Sequence, residues 1–256
     1  MRVKNILASM ALIFMHNMVC AQKLPNKQEA SIFAPAAIKT DGKANEWNDT
    51  FQAYNRATEL SYTMANDADN LYLVCQATEA EVIQKIVLGG VTLTVSATDK
   101  NSNIAPATVT YPIVPWTSVQ INYDLKPPAP LKDDEVSIIN KKISGQLKQI
   151  KVGGIKEFAD RTVPVYNDAG IIMAQNVTKE KVYTLELAFP LKYIRQLIND
   201  KGTFNYGITV NGMDPSVKVV GGGSLFGAAT EQVVPRGEQY DMTPTYFTAT
   251  YTLATK

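Results

Sequence analysis

The feature that most limits what this chain can fold into is an alternation of apolar and polar residues with a period of two. Near the C-terminus Phe247, Ala249, Tyr251 and Leu253 alternate with Thr248, Thr250 and Thr252. The same rhythm runs through Leu60, Tyr62 and Met64, through Leu71, Leu73, Cys75 and Ala77, and through Val91, Leu93 and Val95. It recurs in Tyr183, Leu185, Leu187 and Phe189. An extended chain sends successive side chains to opposite faces, so this pattern predicts half-buried antiparallel strands. Sheets with one apolar face must cover each other, which predicts a mainly-β antiparallel sandwich. On this count Cys75 points to the apolar side and is expected as a small core residue, since a reactive thiol needs an exposed, electropositive setting.

Helical spacing is confined to three places, expected as short peripheral helices. Residues 79–88 carry Val82, Ile83, Ile86 and Val87 and stop at Gly89-Gly90. Residues 133–150 place Val136, Ile139, Ile143, Leu147 and Ile150 at steps of three or four, an amphipathic stripe. Such a stripe could dock a partner or a membrane surface, but packing on the sandwich edge is its commoner fate. Pro190 opens a third segment with Tyr193, Ile194, Leu197 and Ile198 turned toward the sheet. Loops are expected at 126–130 (KPPAP), around Asn167-Asp168 and over 213–244. The last is long and glycine-rich and carries Phe226, Arg236 and Tyr240, a length that implies function or disorder. Its triple glycine lacks the Gly-Lys-Ser/Thr of a phosphate-binding loop.

The first residues add a location. Arg2 and Lys4 precede an apolar run over 6–15, and Val19-Cys20-Ala21 supplies small residues before a cleavage point. This is the pattern of a secretory signal peptide over residues 1–21. The run is shorter than the roughly 20 residues that a membrane span needs. A lipoprotein reading would acylate Cys20, but Asn17-Met18-Val19 suits that processing poorly. Residues 22–34 are polar, contain Pro25 and read as a flexible leader, and residues 35–256 read as one domain. The mature protein is expected in the periplasm or outside the cell, with no transmembrane segment.

Processing would remove the lone histidine, His16, and one of the two cysteines. What remains has no imidazole and a single thiol. That excludes Ser-His-Asp and Cys-His nucleophile systems and leaves zinc, copper and iron almost without ligands. An intramolecular disulfide is likewise impossible, so the core alone must hold the fold. The near-neutral charge, without basic clusters, argues against nucleic acid as a partner.

Four stretches together resemble the carbohydrate-binding module family 9-like domains of the wider DOMON-like group. They are IKTDGKANEW (38–47), NDADNLYLVCQAT (66–78), VYTLELAFPLKYI (182–194) and FNYGITVNGMD (204–214). The resemblance implies that Asp41, Gly42, Glu46 and Trp47 form a structural signature, with Trp47 in the core. Sugar-binding members hold a terminal ring between two tryptophans. At the first of those places this chain has QKIVLGG (84–90), without an aromatic, and at the second the 213–244 loop, with Phe226 and Tyr240. Haem-carrying relatives use an axial histidine that the mature chain lacks, so no haem is expected. Calcium needs only oxygen ligands, and Asn66, Asp67 and Asp69 in the acidic turn are candidates, although such residues more often simply form turns.

The expected function is a non-catalytic exported binding domain for a saccharide or glycan, with Trp116, Phe226, Arg236 and Tyr240 as candidate ligand contacts. The alternative is an envelope interaction or scaffold domain that has lost the sugar site and binds a protein partner. A glycosidase is the least favoured reading. It needs two carboxylates across a cleft, and Glu186, the tempting acid, has no evident second member.

Overall fold

The computed structural model describes residues 23–113, 129–158, 162–212 and 243–256. These form eleven strands and two α-helices: β1 (Ala53–Asn55), β2 (Leu60–Asn66), β3 (Asn70–Ala77), α1 (Ala80–Gly89), β4 (Val91–Ser96), β5 (Ala107–Tyr111), α2 (Asp133–Gln146), β6 (Gln149–Gly153), β7 (Thr162–Pro164), β8 (Ile172–Val177), β9 (Tyr183–Pro190), β10 (Thr203–Val210) and β11 (Thr245–Thr252). Five strands in the order β1-β2-β3-β9-β8 make one sheet, and six in the order β11-β10-β4-β5-β6-β7 make the other. All named pairings are antiparallel, and the architecture is the expected β-sandwich.

The apolar sides of the alternating strands meet between the sheets. Tyr62, Met64, Leu71 and Leu73 from one sheet and Leu93, Phe204, Tyr206 and Ile208 from the other are fully buried in one continuous core. The hydroxyls of Tyr62 and Tyr206 enter this core as a pair. They are 3.0 Å apart, and Tyr62 also accepts the Gln28 N–H at 2.9 Å. Cys75 is buried here as expected, and burial pushes its thiol up to about 12, so it stays protonated and inert.

The two sheets differ in how their outer faces are used. In β3 and β9 the side chains on both faces are buried, against the expectation of half-buried strands. The cause is the segment before β1. Ala34, Ala44, Trp47 and Phe51 lie over Ala65, Tyr72, Val74 and Ala188 and form a second, smaller core on the outside of the five-stranded sheet. In β4 only alternate residues are buried, as its sequence pattern predicts, and β5 is buried in the same alternating way.

Residues 23–34, read from their polarity as a flexible leader, are tied to the sandwich at several points. Pro25 C=O accepts the Tyr54 N–H, and Ile32 C=O and Ala34 N–H bond the two backbone groups of Asn66. The Gln28 side chain behaves as a piece of missing strand: its Oε1 accepts the Met64 N–H and its Nε2 donates to Met64 C=O, both at 2.7 Å. Polarity here serves edge pairing.

Two helical expectations also shift. The α2 stripe begins at Asp133 as expected, with Glu135 accepting the Lys132 N–H at 2.7 Å across the first turn. It stops at Gln146, and Ile150 belongs to β6. Ile150 is buried in both readings, so its spacing from Leu147 could not separate a helix from a strand. After Pro190 the chain makes two 3-10 turns, Leu191–Tyr193 and Arg195–Leu197, in place of a continuous helix. Among the described residues no helix is long and apolar enough to cross a membrane.

Candidate binding site

The DGKANEW stretch is organised by one carboxyl group. Glu186 lies in the middle of β9, is only 3% exposed and points away from the main core. Its Oε2 accepts the N–H groups of Asp41 and Gly42, each at 2.9 Å, and its Oε1 accepts the Trp47 indole N–H at 3.2 Å. Gly42 has φ of +83°, and a Cβ on it would stand 2.6 Å from the Gln175 carbonyl carbon, so the turn needs glycine on both counts. Trp47 closes over the site at 8% exposure. Burial pushes the Glu186 carboxyl up to about 7; the three donors pull the other way without prevailing, and the Asp41 charge adds to the rise. A raised carboxyl beside a second acid can mark a catalytic pair. Here it is sealed beneath the tryptophan and its oxygens are engaged by backbone and indole donors, so it works as a structural anchor.

The candidate calcium ligands come together in the β2–β3 turn, and the side-chain oxygens of Asn66 and Asp67 are in use. Asp67 Oδ1 accepts the Asp69 and Asn70 N–H groups at 2.8 and 2.7 Å, and Oδ2 accepts the Tyr72 hydroxyl at 2.7 Å. Burial disfavours the Asp67 charge, but these donors outweigh it and hold the carboxyl below its ordinary value. Asn66 Oδ1 takes the Tyr251 hydroxyl and the Ala254 N–H. A calcium ion would have to displace these bonds, so the arrangement fits a turn better than an ion site. Among the described residues no group of three or more His, Cys, Asp or Glu could hold a metal.

The other candidate contacts, Trp116, Phe226, Arg236 and Tyr240, lie outside the described residues. A recess that sequence reasoning missed lies on the outer face of the six-stranded sheet. It is a groove of about 500 Å³ running over β4, β10 and β11, with Lys27 beside it. Strand register builds it. Gly207 of β10 stands between Thr94 of β4 and Thr248 of β11, while Asn205 stands between Ser96 and Thr250. Thr209 pairs with Tyr246, whose ring is 66% exposed. Gly207 makes the dip: it has no side chain where its neighbours have hydroxyls.

That glycine is not demanded by the backbone. A Cβ on Gly207 would meet Phe247 O and Thr248 Cγ2 at 3.5 Å, which is ordinary contact. The rest of the wall is also unusual for a solvated sheet face. The outward positions of β4, β5, β10 and β11 carry Thr, Ser, Asn, Gly and Tyr and no Asp or Glu, although the chain has 24 acidic residues. One end of the groove is cross-linked: Thr250 donates to Asn205 Oδ1 at 3.0 Å, and Asn205 Nδ2 donates to Ala97 C=O at 3.1 Å. The result is an array of hydroxyls and one held amide with an aromatic ring at the end. The signal for it was the long row of threonines at outward positions, which passes in sequence for mere β-propensity.

No protein-family model matches the chain, and a comparison with curated proteins gives no match.

Proposed function

We propose that this protein is an exported, non-catalytic binding domain whose ligand is a saccharide held in the groove over β4, β10 and β11. The observation that carries this reading is the gap at Gly207 in an otherwise continuous hydroxyl-lined face. A glycine in a strand interior costs roughly 0.5–1 kcal/mol relative to alanine. This one opens a recess of ligand size at that cost. Hydroxyl and amide groups match the donor and acceptor pattern of a sugar, and the exposed Tyr246 ring offers a flat apolar surface to the C–H face of a pyranose. The four stretches that resemble family 9-like carbohydrate-binding modules support the same class, and the signal-like residues 1–21 support export. Among the described residues no carboxylate lines the groove, which supports binding without hydrolysis.

Replacing Gly207 by valine tests the reading directly. The variant is expected to match or exceed wild type in thermal stability while losing binding on an array of soluble sugars and cell-wall glycans, with Tyr246→Ala losing it too. A wild-type protein silent across that array overturns the proposal and favours the scaffold alternative.

A further inference from the structure

Among the described residues Lys27 is the one charged side chain that lines the groove. Its mount is rigid on both sides. On one side Asn26 accepts the Asn55 amide and the Arg56 N–H, both at 2.9 Å; on the other Gln28 is locked to Met64 and Tyr62. Lys27 makes no ion pair among the described residues. The outward positions of β4, β5, β10 and β11 bring no carboxylate toward it, and Lys151, on β6 beyond Thr110, adds a second positive charge to the same face. An exposed ammonium on an anchored stretch of backbone, without an ion pair among the described residues and set beside neutral hydroxyls, is placed to receive a charge from a ligand.

We propose that the saccharide taken by this groove is acidic, a hexuronate chain whose carboxylate meets Lys27 while a ring lies on Tyr246. This rests on the saccharide reading above and narrows it to one chemical class. Hydroxyls of Thr94, Thr209 and Thr248 accept and donate along the chain, and Lys27 distinguishes the charged sugar from its neutral counterpart. Exposed ion pairs are modest and screened by salt, so the discrimination is a matter of several-fold and shrinks as ionic strength rises.

The test is calorimetric titration of the full chain with oligogalacturonate and with the same oligomer methyl-esterified, at low and at high salt. Wild type is expected to bind the free acid about five-fold more tightly than the ester, with the difference disappearing in high salt. Lys27→Gln should equalise the two without weakening the ester, and Lys27→Arg should restore the preference. Lys27 is exposed, so these variants are expected to keep the wild-type melting temperature. Equal binding of acid and ester by wild type, or a preference that survives Lys27→Gln, overturns the acidic-ligand proposal and leaves the saccharide reading standing. Failure of both oligomers, together with a silent glycan array, removes both.

Discussion

Glu186 shows how one residue can be read as chemistry and turn out to be architecture. A glutamate in an alternating strand looks like a solvated or catalytic group, because sequence does not say what lies on the strand's outer face. Two backbone N–H groups and an indole provide that face, and burial raises the carboxyl to about 7 from an ordinary value of 4.5. The sign of the consequence follows. Between these two pH values the folded protein holds a proton that the unfolded chain has released, so stability falls as pH rises from 4.5 toward 7 and levels off above it. We expect a loss on the order of 2 kcal/mol over that window, visible as a lower urea midpoint at pH 8 than at pH 5. Glu186→Gln should flatten this part of the profile whatever it does to absolute stability. Asp67 acts in the opposite sense: its carboxyl is held below its ordinary 3.8, so its contribution is present above that value and is lost as pH falls further. The joint contribution of these two groups is greatest near pH 4 to 5, and an unchanged midpoint from pH 5 to 8 would contradict the Glu186 assignment.

At the scale of elements, the strands of the main core were legible because their alternation reports one buried face. The β4 and β11 expectations hold for that reason, with Val91, Leu93, Val95, Phe247 and Tyr251 buried. What was not legible depends on contacts far apart in sequence. The β1, β7 and β8 strands are short or mixed in character, and each is defined by its partner rather than by its own residues. The groove was hidden for a similar reason, since Thr94, Gly207 and Thr248 become neighbours only through register. Amide side chains do comparable long-range work at sheet edges. Gln28 pairs with Met64 on β2, and Asn140 of α2 takes the N–H and C=O of Val177 on β8, both at 2.8 Å. Each occupies backbone groups through which an edge strand could recruit another chain. Gln28→Ala should leave a buried donor and acceptor of Met64 unmatched and cost about 1–3 kcal/mol. Hydrogen exchange should then speed up across residues 23–34 and at Met64, with the β3 and β9 amides keeping their protection.

For the molecule as a whole, the unequal covering of the two sheets separates stability from recognition. The central strands of the five-stranded sheet are packed on both faces and include Cys75, while the hydroxyl face of the six-stranded sheet carries the groove. A thiol held near 12 inside that packed sheet is a reporter of global opening. Its modification by an aromatic disulfide reagent should be negligible in the folded protein and should rise with urea in step with the loss of tertiary structure. Labelling well below the unfolding transition would mean that the five-stranded sheet opens on its own.

The same covering orders events during synthesis. Trp47 and the Asp41-Gly42 turn leave the ribosome early, yet the residues that receive them, Glu186 and Ala188, come some 140 positions later. Until β9 has emerged, the indole has no acceptor and Phe51 has only part of its bed. This early stretch is thus among the last to be housed, and a chain truncated before residue 183 would carry its own tryptophan unsheltered, an apolar flag by which an unfinished molecule differs from a finished one.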